Sequence, residues 1–335
     1  MKYFLSLFFI FVSVSAAAES ADSKLKVTAY DALLSNYSYP FEVNFLNISS
    51  QGKTLKMAYM FLPGDKNKPV VTLLHGKNFN GVYWEQTAKL LNSKGYSVLM
   101  PDQIGFGKSS KPTDYQYSFS ALALNTKSLL AHLKVERSIM IGHSMGGMLA
   151  SRFALNHPEN TTKLILINSI GLENYLRYVE YKDIDFFYQS ELKKTPEKII
   201  AYQRENYYDG AWNSSYEALT LPLSGWTQGP DRKLIAYVNA LTYDMIFNQP
   251  VIEELKYLTV PTAVILGTRD RTGPGRNWKK AGTDYQLGRF DQLGQQIKSR
   301  NSNIKIVELE GLGHLPQIEN FSRFKDSLLS TLSLN

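Results

Sequence analysis

Ser144 stands in IGHSMGG, between Gly142 and Gly146, where an apolar run ending at His143 meets a helix-like stretch beginning near Met145. A serine hydroxyl is a weak nucleophile at neutral pH. It needs a base within hydrogen-bonding reach and an acid to orient that base. The chain has five histidines, so the search for the base is short. His143 adjoins the serine and would point away from the corner, His75 opens the turn after another apolar run, His132 lies mid-helix in LLAHLKV, and His157 sits beside Pro158 at a helix end. His314 differs from these four. It lies in LEGLGHLPQIEN, on a Gly-flanked loop after the last apolar run and before the final helix. The acid that fits is Asp270 in VILGTRDRTGPG, in a turn shaped by Gly and Pro after the preceding run. Ser144, Asp270 and His314 together could perform acyl transfer, with the imidazole taking the hydroxyl proton and the carboxylate holding the imidazole.

Acyl transfer also needs donors for the negative oxygen that develops on the carbonyl. HGKNFNGVYW follows an apolar run, and the peptide N–H of Lys77 can supply one donor while that of Met145 supplies the second. Gly76 allows close approach of that loop. Asn78 either adds a side-chain contact or shapes the loop. PDQIGFGKSS is a further Gly-rich turn, but it lacks the third glycine and the following helix of a dinucleotide-binding fingerprint.

These residues must be positioned by a scaffold, and the hydrophobic pattern shows which. FEVNFLNIS and TLKMAYMFLP alternate apolar and polar residues across a short turn, predicting an antiparallel hairpin between residues 41 and 62. Unbroken apolar runs follow at 69–75, 96–102, 138–143, 163–169 and 261–267, with a weaker one at 304–310. Such runs suit strands buried on both faces of a parallel sheet. Between them YWEQTAKLLNSKG, FSALALNTKSLLAHLKV and MGGMLASRFALNHPE carry helical spacing. The alternation predicts an α/β fold, an open doubly wound, mostly parallel sheet, with the reactive residues on loops at the carboxyl ends of three strands.

One interval breaks the rhythm. Residues 171–258 lack a buried-strand run and are crowded with aromatics, among them Tyr175, Tyr207, Tyr208, Trp226 and Tyr243. ELKKTPEKIIAYQREN and DRKLIAYVNALTYDMIF read as helices, joined by Gly and Pro turns at DGAW, LPLSGW and QGPD. The segment is expected to be a helical cap inserted into a sheet domain formed by 19–170 and 259–335. Some of its aromatics would line an apolar pocket over Ser144, and most would form the core of the cap itself.

HGKNFNGVYW, DQIGFGKSS, GHSMGG, GTRD and GLGHLPQIE occur in one order along the chain. In this the chain resembles the α/β-hydrolase fold family, the group that includes esterases, C–C hydrolases and epoxide hydrolases. The resemblance implies Ser144 as nucleophile at a strand–turn–helix elbow, Asp270 as acid, His314 as base, and Lys77 and Met145 as oxyanion donors. Epoxide hydrolases and haloalkane dehalogenases of the family carry aspartate at the elbow, where this chain has Ser144. The remaining activities are those of carboxylesterases, C–C bond hydrolases, amidases, aminopeptidases and cofactor-free perhydrolases. A serine hydrolase acting on a small or medium carboxylic ester is the leading expectation. The alternatives are a C–C hydrolase acting on a vinylogous diketone and a small-ligand binder that has kept the fold. None of these calls for a metal or a cofactor, and the partner expected is a small ester or ketone.

Composition bounds the setting. MKYFLSLFFIFVSVSAAAES has a Lys2 n-region, an apolar stretch and a small-residue end, so a signal peptide over residues 1–18, cleaved after Ala18, is expected, with an exported or periplasmic product and no lasting membrane anchor. The sequence contains no cysteine, which excludes disulfides and thiol chemistry. The net charge of +7 is dispersed, with its densest cluster at Arg269, Arg271, Arg276, Lys279 and Lys280. That cluster is either a solvated loop or an entrance that attracts anions. No nucleic-acid-binding module accompanies the charge.

Overall fold

The computed structural model describes residues 27–333. The expected signal peptide lies outside the described residues. Eight strands form one sheet: β1 (Val43–Ser50), β2 (Lys53–Leu62), β3 (Val70–Leu74), β4 (Ser97–Pro101), β5 (Ser138–His143), β6 (Thr161–Ile167), β7 (Thr262–Gly267) and β8 (Lys305–Leu309). Their spatial order is β1-β2-β4-β3-β5-β6-β7-β8. The hairpin β1–β2 and the β2–β4 pair are antiparallel, and every later pairing is parallel.

The unbroken apolar runs are explained by cover on both faces. Along β5, β6 and β7, Met140, Leu164, Leu166, Val264 and Leu266 pack into one core, while Ile139, Ile141, Ile165, Ile167 and Ile265 pack into another. Helices α1 (Glu85–Ser93), α2 (Phe119–His132) and α3 (Met145–Asn156) intervene between the early strands. The first packs on the second core and the other two on the first. His132 is therefore the last residue of α2 and not mid-helix, because Leu133 and the left-handed Lys134 end the helix there.

Between β6 and β7 the chain forms α4 (Tyr175–Tyr178), α5 (Ile184–Leu192), α6 (Pro196–Tyr208), α7 (Ser214–Ala218), α8 (Leu221–Gln228) and α9 (Arg232–Asn248). Two local expectations for this interval differ from what forms. LPLSGW is not a turn but lies in α8. Pro222 is tolerated in the first turn, where its missing N–H has no helical partner to lose. Within the helix position 225 is glycine because a side chain there would collide with Tyr30, its Cβ falling 2.1 Å from the ring. ELKKTPEKII does not continue as one helix, because Thr195 caps α6 and Pro196 begins it, so α5 stops at Leu192.

Residues 30–37 run across this helical segment, with Leu34 buried against Ile199, Leu223, Trp226 and Ile235. Trp226 Nε1–H donates to the Asp31 carbonyl at 2.9 Å, and the Ala32 N–H to Asp231 at 2.7 Å. After β7 come α10 (Phe290–Arg300), then β8, α11 (Pro316–Glu319) and α12 (Phe321–Leu332). Among the described residues no helix is long and apolar enough to cross a membrane.

Candidate active site

β5 ends at His143 and α3 begins at Met145, leaving Ser144 alone at the corner. Its backbone has φ 55° and ψ −122°, a conformation that costs a non-glycine residue energy and persists only where the surroundings enforce it. The flanking glycines are enforced by space. A Cβ on Gly142 would lie 2.1 Å from the Gly146 carbonyl oxygen, and one on Gly146 would lie 2.1 Å from that of Leu74. The corner is thereby pressed between its own helix and the end of β3.

The three residues singled out by type and spacing meet here. His314 Nε2 lies 3.1 Å from Ser144 Oγ, and His314 Nδ1 lies 2.7 Å from Asp270 Oδ2. Both Asp270 and His314 are about 1% exposed. Burial alone would raise the Asp270 pKa. The charge of His314 and hydrogen bonds from His314, Asn168 and Thr272 outweigh it, so the carboxyl is held below its usual range. An ionised Asp270 fixes the His314 proton on Nδ1 and leaves Nε2 free to accept from the serine.

Asn168 went unremarked in the sequence, where it is only the polar end of KLILINS. Its Nδ2–H donates to Asp270 Oδ2 at 2.8 Å, and its Oδ1 accepts from the Gly267 N–H at 2.9 Å. It is a non-glycine residue with positive φ, at 38°. A polar amide closing an apolar strand at the same sheet edge was the available signal. Arg269 and Glu319 likewise tie the two loops together: the guanidinium bonds Glu319, and the other Glu319 oxygen accepts from the Gly313 N–H at 2.7 Å.

His143 has a structural role. Its Nε2–H donates to the His314 carbonyl at 2.8 Å, and its Nδ1 accepts from the Tyr83 hydroxyl at 3.0 Å. That hydroxyl in turn accepts from the Gly76 N–H at 2.9 Å. Burial, reinforced by the nearby His314, pushes the His143 pKa down to about 3, so the ring stays neutral. His75 is buried and accepts from the Gln103 N–H at 3.1 Å, while His157 lies beside Lys127 and Glu159.

The loop holding Lys77 adjoins the serine, since a Cβ on Gly76 would lie 3.2 Å from Ser144 Cβ. Met145 is the first residue of α3, so its N–H has no helical carbonyl one turn back to bond. Lys77, Asn78 and Ser144 face one cavity of about 480 Å³. Its far wall comes from the helical segment, including Phe187, Tyr207 and Tyr243, and from Trp278 in the loop after β7. Tyr207 also lies against His314, with ring centroids 4.7 Å apart and the planes tilted by 30°. Tyr175, Tyr208 and Trp226 are packed within the protein instead. Most of the basic cluster is occupied locally: Arg269 pairs with Glu319, Arg271 with Asp291, and Lys280 bonds the Leu176 carbonyl.

The pattern of the α/β-hydrolase fold matches residues 69–320, most of the chain. The chain belongs to the α/β-hydrolase fold family. A probable hydrolytic enzyme from Pseudomonas aeruginosa is 41% identical, superposes with a TM-score of 0.89, and matches over 92% of this chain and 99% of its own. Among family members of known sequence, a fluoroacetate dehalogenase from a Burkholderia species is 32% identical over 155 residues, 42% of this chain and 49% of its own length. An AB hydrolase superfamily protein of Bacillus subtilis is 28% identical over 67% of this chain and 80% of its own length. The chain spans half or less of the length of the first curated relatives it matches. The α/β-hydrolase frame accounts for the sheet order, the corner at Ser144 and the loops that converge on it.

Proposed function

We propose that this α/β-hydrolase is a serine hydrolase that cleaves a small or medium carboxylic ester. The observation that carries the reading is the continuous contact chain from Ser144 Oγ through His314 to Asp270, 3.1 and 2.7 Å long, opening onto the cavity. In this reading His314 Nε2 takes the proton as Ser144 Oγ attacks the ester carbonyl. The N–H groups of Lys77 and Met145 hold the resulting oxyanion, and α3 adds the positive end of its dipole. His314 then gives the proton to the leaving alcohol. A water, deprotonated by the same imidazole, releases the acid and restores the serine.

The helices between β6 and β7 act as a cap that supplies the aromatic wall and limits the size of the acyl group. The signal-like N-terminal sequence supports an exported, periplasmic or secreted enzyme. An aligned, buried base and acid favour turnover over ligand capture, since a binding protein has no use for them. The test is hydrolysis of short-acyl p-nitrophenyl esters together with labelling by a fluorophosphonate probe. Wild type should turn over and label. Ser144→Ala should lose label and at least about 10⁴-fold in kcat/KM. Equal rates for the two proteins would remove Ser144 from the chemistry.

A further inference from the structure

The cavity wall beside Ser144 carries an uneven set of charges. Lys77 is 7% exposed, and its ammonium lies 4.2 Å over the Tyr243 ring, which lines the same cavity. The hydrogen-bond acceptor found for it is neutral, Asn239 Oδ1 at 3.2 Å. The nearby carboxylate is committed elsewhere. Glu191 Oε1 pairs with Lys194 Nζ at 2.6 Å, and Glu191 Oε2 accepts from Asn239 Nδ2 at 3.2 Å. Lys194 also approaches Tyr243, at 5.7 Å. Two lysines and one carboxylate thus share one cluster, in which Lys77 and Glu191 are buried and Lys194 is partly exposed.

The two lysines respond in opposite directions. Burial lowers both, but Glu191 outweighs burial at Lys194 and holds it above its usual value. At Lys77 burial wins and brings the pKa down to about 7, with Glu191 giving only partial relief and Lys194 opposing it. A buried charge without a counter-charge is costly, and the cost is relieved when an anion is brought to it. Lys77 has a further property that fixes where such an anion belongs. Its main chain adjoins Ser144, and its ammonium stands at the end of a flexible four-carbon stem from that point.

We infer that the substrate is an ester carrying a second, unesterified carboxylate a few carbons from the scissile carbonyl, and that the Lys77 ammonium binds it. This deepens the ester-hydrolase reading and rests on it. Tyr243 and Asn239 orient the ammonium, while Glu191 holds Lys194 away from competing for the same anion. The carboxylate belongs either to the acyl part, as in the half ester of a short dicarboxylic acid, or to the alcohol part.

Matched pairs test this. For the acyl side the pair is p-nitrophenyl hemiglutarate against p-nitrophenyl pentanoate, and for the alcohol side 4-carboxyphenyl butyrate against phenyl butyrate. Wild type should favour the anionic member of one pair by about tenfold or more in kcat/KM, most of it in KM. Lys77→Met should bring that ratio down to about one or below. Lys194→Met should lower it too, because Glu191 is then free to pair with Lys77. Glutarate should inhibit wild type at about tenfold lower concentration than pentanoate, which needs no variant to fold. Equal handling of both pairs by wild type, with Ser144→Ala inactive, overturns this inference and leaves the ester reading standing. If no ester is cleaved, the ester reading fails, and calorimetry of glutarate with wild type and Lys77→Met decides the anion site alone. Equal or undetectable glutarate binding by the two proteins overturns it.

Discussion

The loops at the carboxyl edge of the sheet and the helices inserted between β6 and β7 both border the cavity, yet they are built on different rules. At the sheet edge each reactive group is held by main chain or by a fully buried partner: Asp270 accepts from Asn168, from the Thr272 N–H and from His314. Where the insertion meets the cavity, side chains pair with side chains: the Lys77 amine reaches across from the loop after β3 to Asn239 Oδ1, and Glu191 pairs with Lys194. One region fixes the geometry of a reaction. The other sets what can be brought to it, through packing and charge that the backbone does not dictate.

The largest effect that could break this contrast is at the edge itself. Ser144→Ala and His314→Ala should each remove nearly all turnover, and the double variant should be little worse than either alone, because residues that act as one unit are not additive. Independent losses would mean that the contact chain does not work as a unit.

Asn168→Ala sharpens the comparison, since it removes a support without touching the reacting atoms. Asp270 loses a donor and the Gly267 N–H an acceptor, both buried. The expected result is a kcat lower by about 10- to 100-fold with KM little changed, and about 1–3 kcal/mol less stability in urea. A purely structural residue would lower stability and leave kcat per folded molecule intact.

The junction of the two regions gives a pH dependence of stability. Glu173 lies between β6 and α4 and accepts from the Gly288 N–H at 2.9 Å and the Tyr285 hydroxyl at 2.9 Å. Burial outweighs these bonds and pushes its pKa from 4.5 up to about 7. The folded protein therefore holds this proton more tightly than the unfolded chain does. Stability from this group is complete below about 4.5 and is lost as pH rises through about 7, a change on the order of 3 kcal/mol. Urea unfolding of wild type and Glu173→Gln across that interval measures it, and the variant should show a flatter profile.

The smallest effect expected is at an exposed surface pair. Lys89 and Glu85 form an exposed i,i+4 pair on α1. Lys89→Ala should cost no more than about 0.5 kcal/mol, with kinetics unchanged. A larger loss would show that exposed charge contributes more to this fold than the contrast allows.

The same contrast explains what could be read in advance. Strands β3 to β7 are visible as apolar runs because both faces are buried, β8 is the weaker run because it is an edge strand exposed at Lys305 and Glu308, and Ser144, Asp270 and His314 stand out because each ends or follows such a run at one edge. Gly142 and Gly146 mark the corner because only their size fits. In the insertion, LPLSGW has the composition of a turn, yet its glycine is there to make room for the distant Tyr30 ring packed on the helix. The packing of residues 30–37 on α6, α8 and α9 joins segments nearly 200 positions apart, as in the Ala32–Asp231 bond, and no local pattern announces it. Asn168 and Lys77 fall between these cases. Their positions are local, but their partners are not.

The relay from the Gly76 amide through the Tyr83 hydroxyl and the His143 ring to the His314 carbonyl has a mechanical consequence. It runs behind the reacting atoms and couples the loop after β3 to the loop after β8, so neither can shift without stretching a buried bond to the other. Substrate pressing on the Gly76–Lys77 turn would be felt at the backbone of residue 314, and the site would yield to a ligand as a single stiff frame.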